Sequence, residues 1–377
     1  MLYRALGLMS GSSLDGLDIA FVHLHENSGK WSFEIIKACC YEYDEEWKKK
    51  LVSATGMSAL DYQLLHTAYG HYLGEQVNRF INENDLQYQV QLIASHGHTT
   101  FHVPEKKMTA QLGDGAAIAA VSGINVVSDL RAMDLALGGQ GAPIVPIGER
   151  LLFNEHDFFL NIGGIANISH NGDQQLIAFD VCPANSILNR LANEAGKEYD
   201  AGGAMAAIGN IDLQLLEKLN AQEYYGHGYP KSLSNNFGVE IIYPLIQGSE
   251  LRIDDSLRTY VEHIADQIYN ALKSLILLSN NLVTASADYK PQTTNHKLLV
   301  TGGGAFNTFL IERLRYRLHE LNVEIATPDE NIIKYKEALI MALIGVLRWR
   351  EENNVLGSVT GAIRNSIGGA IWMGLEG

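Results

Sequence analysis

The sequence predicts an α/β protein of two domains, each a mixed β-sheet flanked by helices, and three observations predict it. Strand-like and helix-like segments alternate along the chain. A strand, a glycine turn and a second strand open the chain between Tyr3 and Leu24, and the same order recurs between Phe158 and Ser169. With 377 residues, 46% of them apolar and 19% charged, the chain can bury more than one core. The domains are expected at residues 1–133 with about 360–377, and at 134–359. The glycines of GGQGAP are expected to permit rotation at the first crossing.

Tyr3 to Met9 is apolar and strand-like, Ser10 to Gly16 is turn-rich, and Leu17 to Leu24 returns to a strand pattern, which makes an N-terminal hairpin. Trp31 to Cys40 follows as a third strand. Leu60, Leu64, Leu65, Tyr69, Leu73 and Val77 recur at helical spacing within Ser58 to Asn84. Strand Val90 to Ala94 leads into the loop SHGHTTFHVP, Gln111 to Val121 is a small-residue helix, and Asn125 to Ser128 is a short buried strand. The pattern then begins again with strand Phe158 to Ile162, the turn GGIAN, strands Ile165 to Ser169 and Leu176 to Phe179, and helix Ser186 to Ala195. Later segments are mainly helical. Leu257 to Leu278 is the longest, followed by strand Lys297 to Thr301, the turn GGGAFN and helix Thr308 to Leu318.

A formal charge of −15 opposes broad binding to nucleic acid or anionic membrane, both of which need clustered Lys and Arg. An anionic ligand must therefore be held locally, by glycine-rich backbone, helix N-termini or a divalent cation. Cys39 and Cys40 are adjacent and Cys182 is remote, a poor set for disulfides and a fit to a reducing compartment. The first residues lack the pattern of a signal peptide, and no apolar run reaches membrane-spanning length, so a cytoplasmic setting is expected.

MSGSSLDGLD, residues 9–18, offers Gly11 and Gly16 for close backbone approach, hydroxyls at Ser12 and Ser13, and carboxylates at Asp15 and Asp18. It suits a phosphate chain or an ordinary hairpin turn. Asp18 favours the first, because a carboxylate leading an apolar strand needs a partner such as hydrated magnesium. SHGHTTFH holds His96, His98 and His102, but no cysteine is near and no HExxH helix is present. Polar substrate contacts or loop hydrogen bonds are therefore preferred to a metal site. Asp129, Arg131 and Asp134 stand at the end of a buried strand, where Arg131 can orient a sugar or phosphate or brace the turn by an ion pair.

NIGGIANIS presents bare amides at Gly163 and Gly164, or forms a structural turn. TGGGAFN, residues 301–307, lies between strand and helix, the setting in which amides and dipole favour a nucleotide, although it lacks the Gly-Lys-Ser/Thr ending of a Walker sequence. Asp180 in FDVCPAN, placed after strand Leu176 to Phe179, is a general base or a turn former. Glu337 opens the apolar helix EALIMALIGVLRW, where dipole stabilisation alone explains an acidic residue.

MSGSSLDGLD, SHGHTTFH, QLGD, DLRAMDLALGGQGAP, NIGGIANIS, FDVCPAN, YDAGGA, VTGGGAFN and KEALIMA together resemble, in order and spacing, the anhydro-N-acetylmuramic acid kinases, from Leu6 to about Ile371. The resemblance implies an actin-like two-domain ATPase fold with a central cleft, ATP and Mg2+ as cofactors, an anhydro-sugar substrate and compatibility with a homodimer. It implies ATP contacts at Gly11, Ser12, Ser13, Leu14, Asp15, Gly16, Leu17 and Asp18, and at Gly163, Gly164, Asn167, Gly302, Gly303, Gly304 and Asn307. His96, His98, Asp129, Arg131 and Gln140 would contact substrate, Asp180 would be the catalytic base, and Glu337 would be a second active-site acid.

The implied reaction uses ATP and water to open 1,6-anhydro-N-acetylmuramic acid and phosphorylate O6. Kinases of other amino or anhydro sugars, and a non-catalytic nucleotide-binding regulator, are the competing readings. The sequence departs from the family pattern at Ser12, where threonine is usual, at His98 for glutamine and at Cys182 for glycine. PKSLSNNF, residues 230–237, keeps Lys231 and Ser232 of the usual PKSTGRE(Y/F)F and lacks its arginine.

Overall fold

The computed structural model describes residues 1–11, 14–172, 176–229, 231–283 and 295–374. The chain forms two compact units, one of residues 1–154 with 335–377 and one of residues 155–334.

In the first unit, strands β1 (Leu2–Ser10), β2 (Gly16–Asn27) and β3 (Lys30–Glu42) form an antiparallel meander. β4 (Leu92–Val103) runs parallel to β1, and β6 (Val126–Ser128) runs parallel to β4, while β5 (Met108–Leu112) folds back on the outer half of β4. A closing strand, Ala370–Trp372, pairs antiparallel with β6. Helix Ala59–Glu83 starts at the capping hydroxyl of Ser58 and buries Leu65, Tyr69, Leu73, Val77 and Phe80 against the sheet, with Leu6, Leu8, Leu17, Ile19 and Phe21 opposite.

The second unit repeats the plan. β7 (Phe158–Ile162), β8 (Ile165–Asn171) and β9 (Leu176–Pro183) form the meander, and β10 (His296–Thr301) and β11 (Val323–Ala326) add in parallel on the β7 side. The strand order is therefore β3-β2-β1-β4-β6 in one unit and β9-β8-β7-β10-β11 in the other. The recurrence of strand, glycine turn and strand in the sequence is the visible part of this duplication. Helix Ile253–Val283 packs Leu257, Tyr260, Val261, Ile264, Ile268 and Leu272 into the second core.

The unit boundaries differ from those expected at 133 and near 360 because of packing. Helix Pro146–Leu152 stays with the first unit: Glu149 takes a buried ion pair from Lys336 at 2.8 Å, and a Cβ on Gly148 would meet Ile340 at 2.5 Å. GGQGAP is not a free crossing. Gly139 N–H donates to the Asp134 carbonyl (2.9 Å), Gly141 N–H to its carboxylate (2.8 Å) and Gln140 N–H to the Thr360 carbonyl (2.8 Å).

Three element assignments also change. SHGHTTFHV is strand, the outer half of β4 held by β5, so its histidines are ordered by a ladder. The small-residue helix is shorter, Gly115–Ser122, because Met108–Leu112 pairs with β4. Helix Glu330–Trp349 begins well before Glu337, which removes that residue from the first turn and from simple dipole stabilisation. Among the described residues no helix is long and apolar enough to cross a membrane.

That last helix lies directly on β1. A Cβ at Gly7 would overlap the carbonyl oxygen of Ala338, and one at Gly345 would meet Ala94 Cβ at 2.5 Å. Gly7→Ala is thus expected to cost about 3 kcal/mol or more, as severe core overpacking does, and to lower the thermal midpoint sharply. Gly56→Ala, where nothing lies within 4 Å, should leave the midpoint near its original value in the same melts.

Candidate active site

In the first unit, the turn between β1 and β2 contains Ser12 and Ser13, which lie outside the described residues. Around them the predicted ATP-contact residues divide by their surroundings. Leu17 is a core side chain, and a Cβ on Gly16 would strike the Tyr41 carbonyl at 2.5 Å, so both have packing roles. Leu14 holds a left-handed φ of 60° and its amide approaches the Gly11 carbonyl at 3.5 Å, while Asp15 is exposed.

Asp18 sits on β2 between Met9 and Cys40. Burial pushes its carboxyl up to about 6; the Cys40 thiol offsets this in part, and the charges of Glu337 and Asp15 add to it. Glu337 is also raised by burial, against the pull of Lys336 and Arg131. The hydrogen-bond partners of Arg131 are the ring nitrogen Nε2 of His96 (2.8 Å, from Nε) and the Gly141 carbonyl (2.6 Å, from Nη1). No carboxylate lies within ion-pair distance of Arg131 among the described residues, so the bracing ion pair with Asp is not formed. Asp134 instead accepts from Gly141 N–H and, at 2.7 Å, from Thr360 Oγ1.

His96 is buried with both ring nitrogens engaged. Nδ1–H donates to the Gly97 carbonyl at 2.9 Å and Nε2 accepts from Arg131. Burial, reinforced by the Arg131 charge, lowers it to about 3, so it is a neutral strut that aims Arg131. His98 Nδ1 meets Ser10 Oγ at 3.1 Å. Asp129 stands exposed at the end of β6 with φ 55°, held by Ser128 Oγ at 2.8 Å, and Gln140 is exposed with its backbone N–H anchored to Thr360. In the first unit Asp18 and Arg131 each lie within electrostatic reach of Glu337, a set suited to a cation and an anionic ligand.

In the second unit, the Gly163–Gly164 turn has its carbonyls taken by the start of helix Asn185–Glu194: Ala184 and Asn185 N–H donate to Gly164 and Gly163 at 2.8 and 3.0 Å. Among the described residues nothing accepts from the amides of Gly163 and Gly164. A Cβ at either glycine would meet only ordinary contacts, at 3.5 Å or more. Among the described residues nothing demands glycine there, which fits close approach by an external group.

The three glycines of TGGGAFN differ in this respect. Gly302 has φ 81° and would meet Asn161 Oδ1 at 2.5 Å, and Gly304 would overlap Ile162; of the three, only Gly303 would make no more than an ordinary contact, with Asn185 Nδ2 at 3.5 Å. Asn307, expected at the nucleotide, caps helix Thr308–Leu318 by accepting from Leu310 N–H at 3.0 Å, so its oxygen is already used.

Asp180 lies inside β9, not after it, which removes the turn-forming alternative. The β8–β9 register slips between Ala166 and Asn167, leaving Val181 as an extra residue, and Val181 and Cys182 both enter the core while Asp180 stays half-buried. Cys182 is thus a core side chain whose thiol burial pushes well up. Thr301, Asn161, Asn167 and Asp180 are successive cross-strand partners, a polar row across the sheet.

Asp180 Oδ2 accepts from Leu233 N–H at 2.9 Å, and its carbonyl accepts from Tyr224 Oη at 2.6 Å. Its carboxyl is raised by burial and lowered in part by the Leu233 bond. Sequence reasoning missed Asn161, Tyr224 and Leu233. Asn161 mirrors Asn167 across NIGGIAN and was legible by that symmetry, whereas Tyr224 and Leu233 reach Asp180 only through folding. The altered PKSLSNNF segment is therefore the support of Asp180; Pro230 is outside the described residues.

Two units of like strand order, one with desolvated carboxylates and a half-buried arginine and the other with a supported carboxylate and bare glycine amides, define the class: a two-unit α/β protein with candidate ligand groups in each unit. The family model for anhydro-N-acetylmuramic acid kinase matches residues 3–374, and the chain belongs to that family. It is 34% identical to an anhydro-N-acetylmuramic acid kinase of Aliivibrio fischeri over 386 residues, covering 98% of this chain and 99% of the relative. It is 33% identical to the one of Haemophilus influenzae, covering 95% and 94%. Among solved structures, a ROK family glucokinase from Streptomyces griseus in complex with glucose and AMPPNP is similar at 11% identity and a TM-score of 0.41, covering 92% of this chain and 99% of that one.

The raised Asp18 has a sign that can be checked. Its folded value of about 6 lies above the ordinary carboxyl value of 3.8, so the folded state holds the proton more tightly. The stabilisation this confers is complete below pH 3.8 and is lost as pH rises through about 6. Asp18→Asn should stabilise the ligand-free protein above pH 6 by on the order of 3 kcal/mol at most, seen as a higher melting midpoint, and the gain should fade as pH falls toward 4. Melts across pH 4–8 test this.

Proposed function

We propose that this chain is an ATP-dependent kinase that opens 1,6-anhydro-N-acetylmuramic acid with water and phosphorylates O6, giving N-acetylmuramic acid 6-phosphate and ADP. The observation that carries this reading is Asp180: a half-buried carboxylate with one oxygen fixed by Leu233 N–H and the other without a partner among the described residues. Its raised affinity for protons suits a general base. Asp180 takes a proton from water as the water oxygen bonds to C1, the C1–O6 bond breaks, and O6 bonds to the γ-phosphorus while ADP leaves. The departing oxygen is captured by phosphorus, so one carboxylate suffices where an inverting hydrolase uses two.

The free amides of Gly163 and Gly164, with Gly303, bind phosphate oxygens, and Arg131, held by His96, orients an anionic group. Asp18, with Glu337 nearby, suits magnesium, because a desolvated carboxylate raised by its neighbours is relieved by a cation. Bound magnesium would neutralise phosphoryl charge. The three cysteines are free, which supports a reducing, cytoplasmic setting.

Asp180→Asn keeps size and removes basicity. Turnover with the anhydro sugar should fall about 10²-fold or more, while calorimetric ATP affinity stays nearly unchanged; full activity would remove Asp180 as the base. ATP turnover that ignores the sugar would favour the regulator reading.

The glycines give a second test. Gly163→Ala should weaken ATP binding about tenfold, since a methyl blocks approach to the amides, with little change in melting. Gly302→Ala should lower the melting midpoint, because its left-handed φ and its contact with Asn161 are set by the fold. Calorimetry and thermal melts on the same samples separate the two.

A further inference from the structure

Beneath the β1–β2 turn lies a chain of buried hydroxyls that the proposed chemistry does not use. Ser10 ends β1 and stands opposite His98 on β4. Tyr43 follows β3, and Tyr69 comes from helix Ala59–Glu83. Tyr69 is fully buried, and Tyr43, Ser10 and His98 are nearly so. Tyr43 Oη donates to Ser10 Oγ at 2.8 Å, Tyr43 and Tyr69 hydroxyls meet at 2.6 Å, and Ser10 Oγ meets His98 Nδ1 at 3.1 Å.

Each hydroxyl has one proton, and the count fixes the direction. Tyr43 spends its proton on Ser10, so the proton between the tyrosines belongs to Tyr69. Ser10 then has His98 Nδ1 opposite it as the acceptor at hydrogen-bond distance, with the Tyr69 hydroxyl also interacting with Ser10. With His98 donating, the Ser10 proton would have to turn back to the tyrosine hydroxyls, each of which already has a partner. Burial also keeps His98 below its ordinary value, hence neutral.

The ring itself is aimed by the backbone. The β1–β4 register slips between Leu8 and Ser10, with Gly97 at φ 70°, a position where a Cβ would overlap the Leu112 carbonyl. Nε2 is the ring atom left without a partner among the described residues.

We propose that Ser10 and Tyr43 are positioning residues that run a one-way hydroxyl chain into His98. The chain fixes His98 as the tautomer protonated at Nε2, so that it offers a donor to an acceptor oxygen of bound substrate. The substrate half of this inference rests on the kinase reading, and the tautomer half does not. A fixed donor selects an acceptor oxygen and rejects a donor at the same place.

Two-bond 1H–15N spectra of the intact protein labelled on histidine, at pH 7.5, read the tautomer, with His98→Gln identifying the signal. Protonation at Nε2 with a bare Nδ1 is expected. Ser10→Ala should mix the tautomers and raise KM for the sugar or for ATP about fivefold, with kcat changed far less; which KM moves identifies the substrate whose oxygen is held. Ser10→Thr, which keeps the hydroxyl, should restore both. Tyr69→Phe should leave the tautomer in place, because the proton flow toward His98 does not begin with a need for Tyr69.

If Ser10→Ala does not fold, Tyr43→Phe serves instead, since it frees Ser10 to turn and should mix the tautomers in the same way. Protonation at Nδ1 in the unaltered protein, or a tautomer and KM values indifferent to Ser10→Ala, would overturn the proposal. Spectra showing Nε2–H in a protein that does not phosphorylate the anhydro sugar would sink the kinase reading and the substrate half, and uphold the tautomer half.

Discussion

The first unit depends on one close contact, the seating of helix Glu330–Trp349 on β1 at Gly7. With a hydrogen where any other residue has carbon, Gly7 lets the helix backbone at Ala338 rest on the strand, and Gly345 repeats the arrangement against Ala94. The residue before Ala338 is Glu337. Its nearness to Asp18 on the neighbouring strand, and to Arg131 beyond β6, follows from that seating, as does the buried Lys336–Glu149 pair that draws helix Pro146–Leu152 into the same unit. Helix and sheet at this distance leave little room for water, which is why the carboxylates are raised.

The two sheets share a strand order but are put to different uses. In the first, the bulge at Gly97 on β4 re-aims a histidine; in the second, the slip at Val181 on β9 sends two neighbouring side chains inward and leaves Asp180 half-buried. A regular ladder would alternate faces and could not bury Val181 and Cys182 together. β9 is also the edge of its sheet, so the Lys231–Leu233 segment can lie along it and give Asp180 a backbone donor.

A net charge of −15 makes phosphate recognition a local matter. Under the proposed function the described residues would answer with neutral donors, the amides at Gly163 and Gly164, and with a half-buried cation, Arg131, braced by a neutral imidazole and with no carboxylate at ion-pair distance among the described residues. An arginine paired with Asp134 would have been a structural strut. Asp134 is occupied by Gly141 and Thr360, which under the proposed function would leave the guanidinium to a ligand.

The sequence by itself determined the α/β class, the duplication, the hairpins and the positions of most helices, because these are set by local periodicity and by turn residues. It also located Asp18, Asp180 and Glu337 within ordered motifs. Tertiary structure alone decided what each residue touches. TGGGAFN looks uniform in sequence, yet Gly302 and Gly304 are claimed by Asn161 and Ile162 while Gly303 would make only an ordinary contact, and Asn307 turns out to be a helix cap. SHGHTTFH reads as a polar loop until β5 pairs with it, and Asp180 reads as either a general base or a turn former until the β9 register is known. Partners such as Leu233 for Asp180, or Tyr43 and Tyr69 for Ser10, lie tens of residues away in the chain. No local pattern encodes such pairs, because long-range packing and bulge registers are properties of the folded sheet.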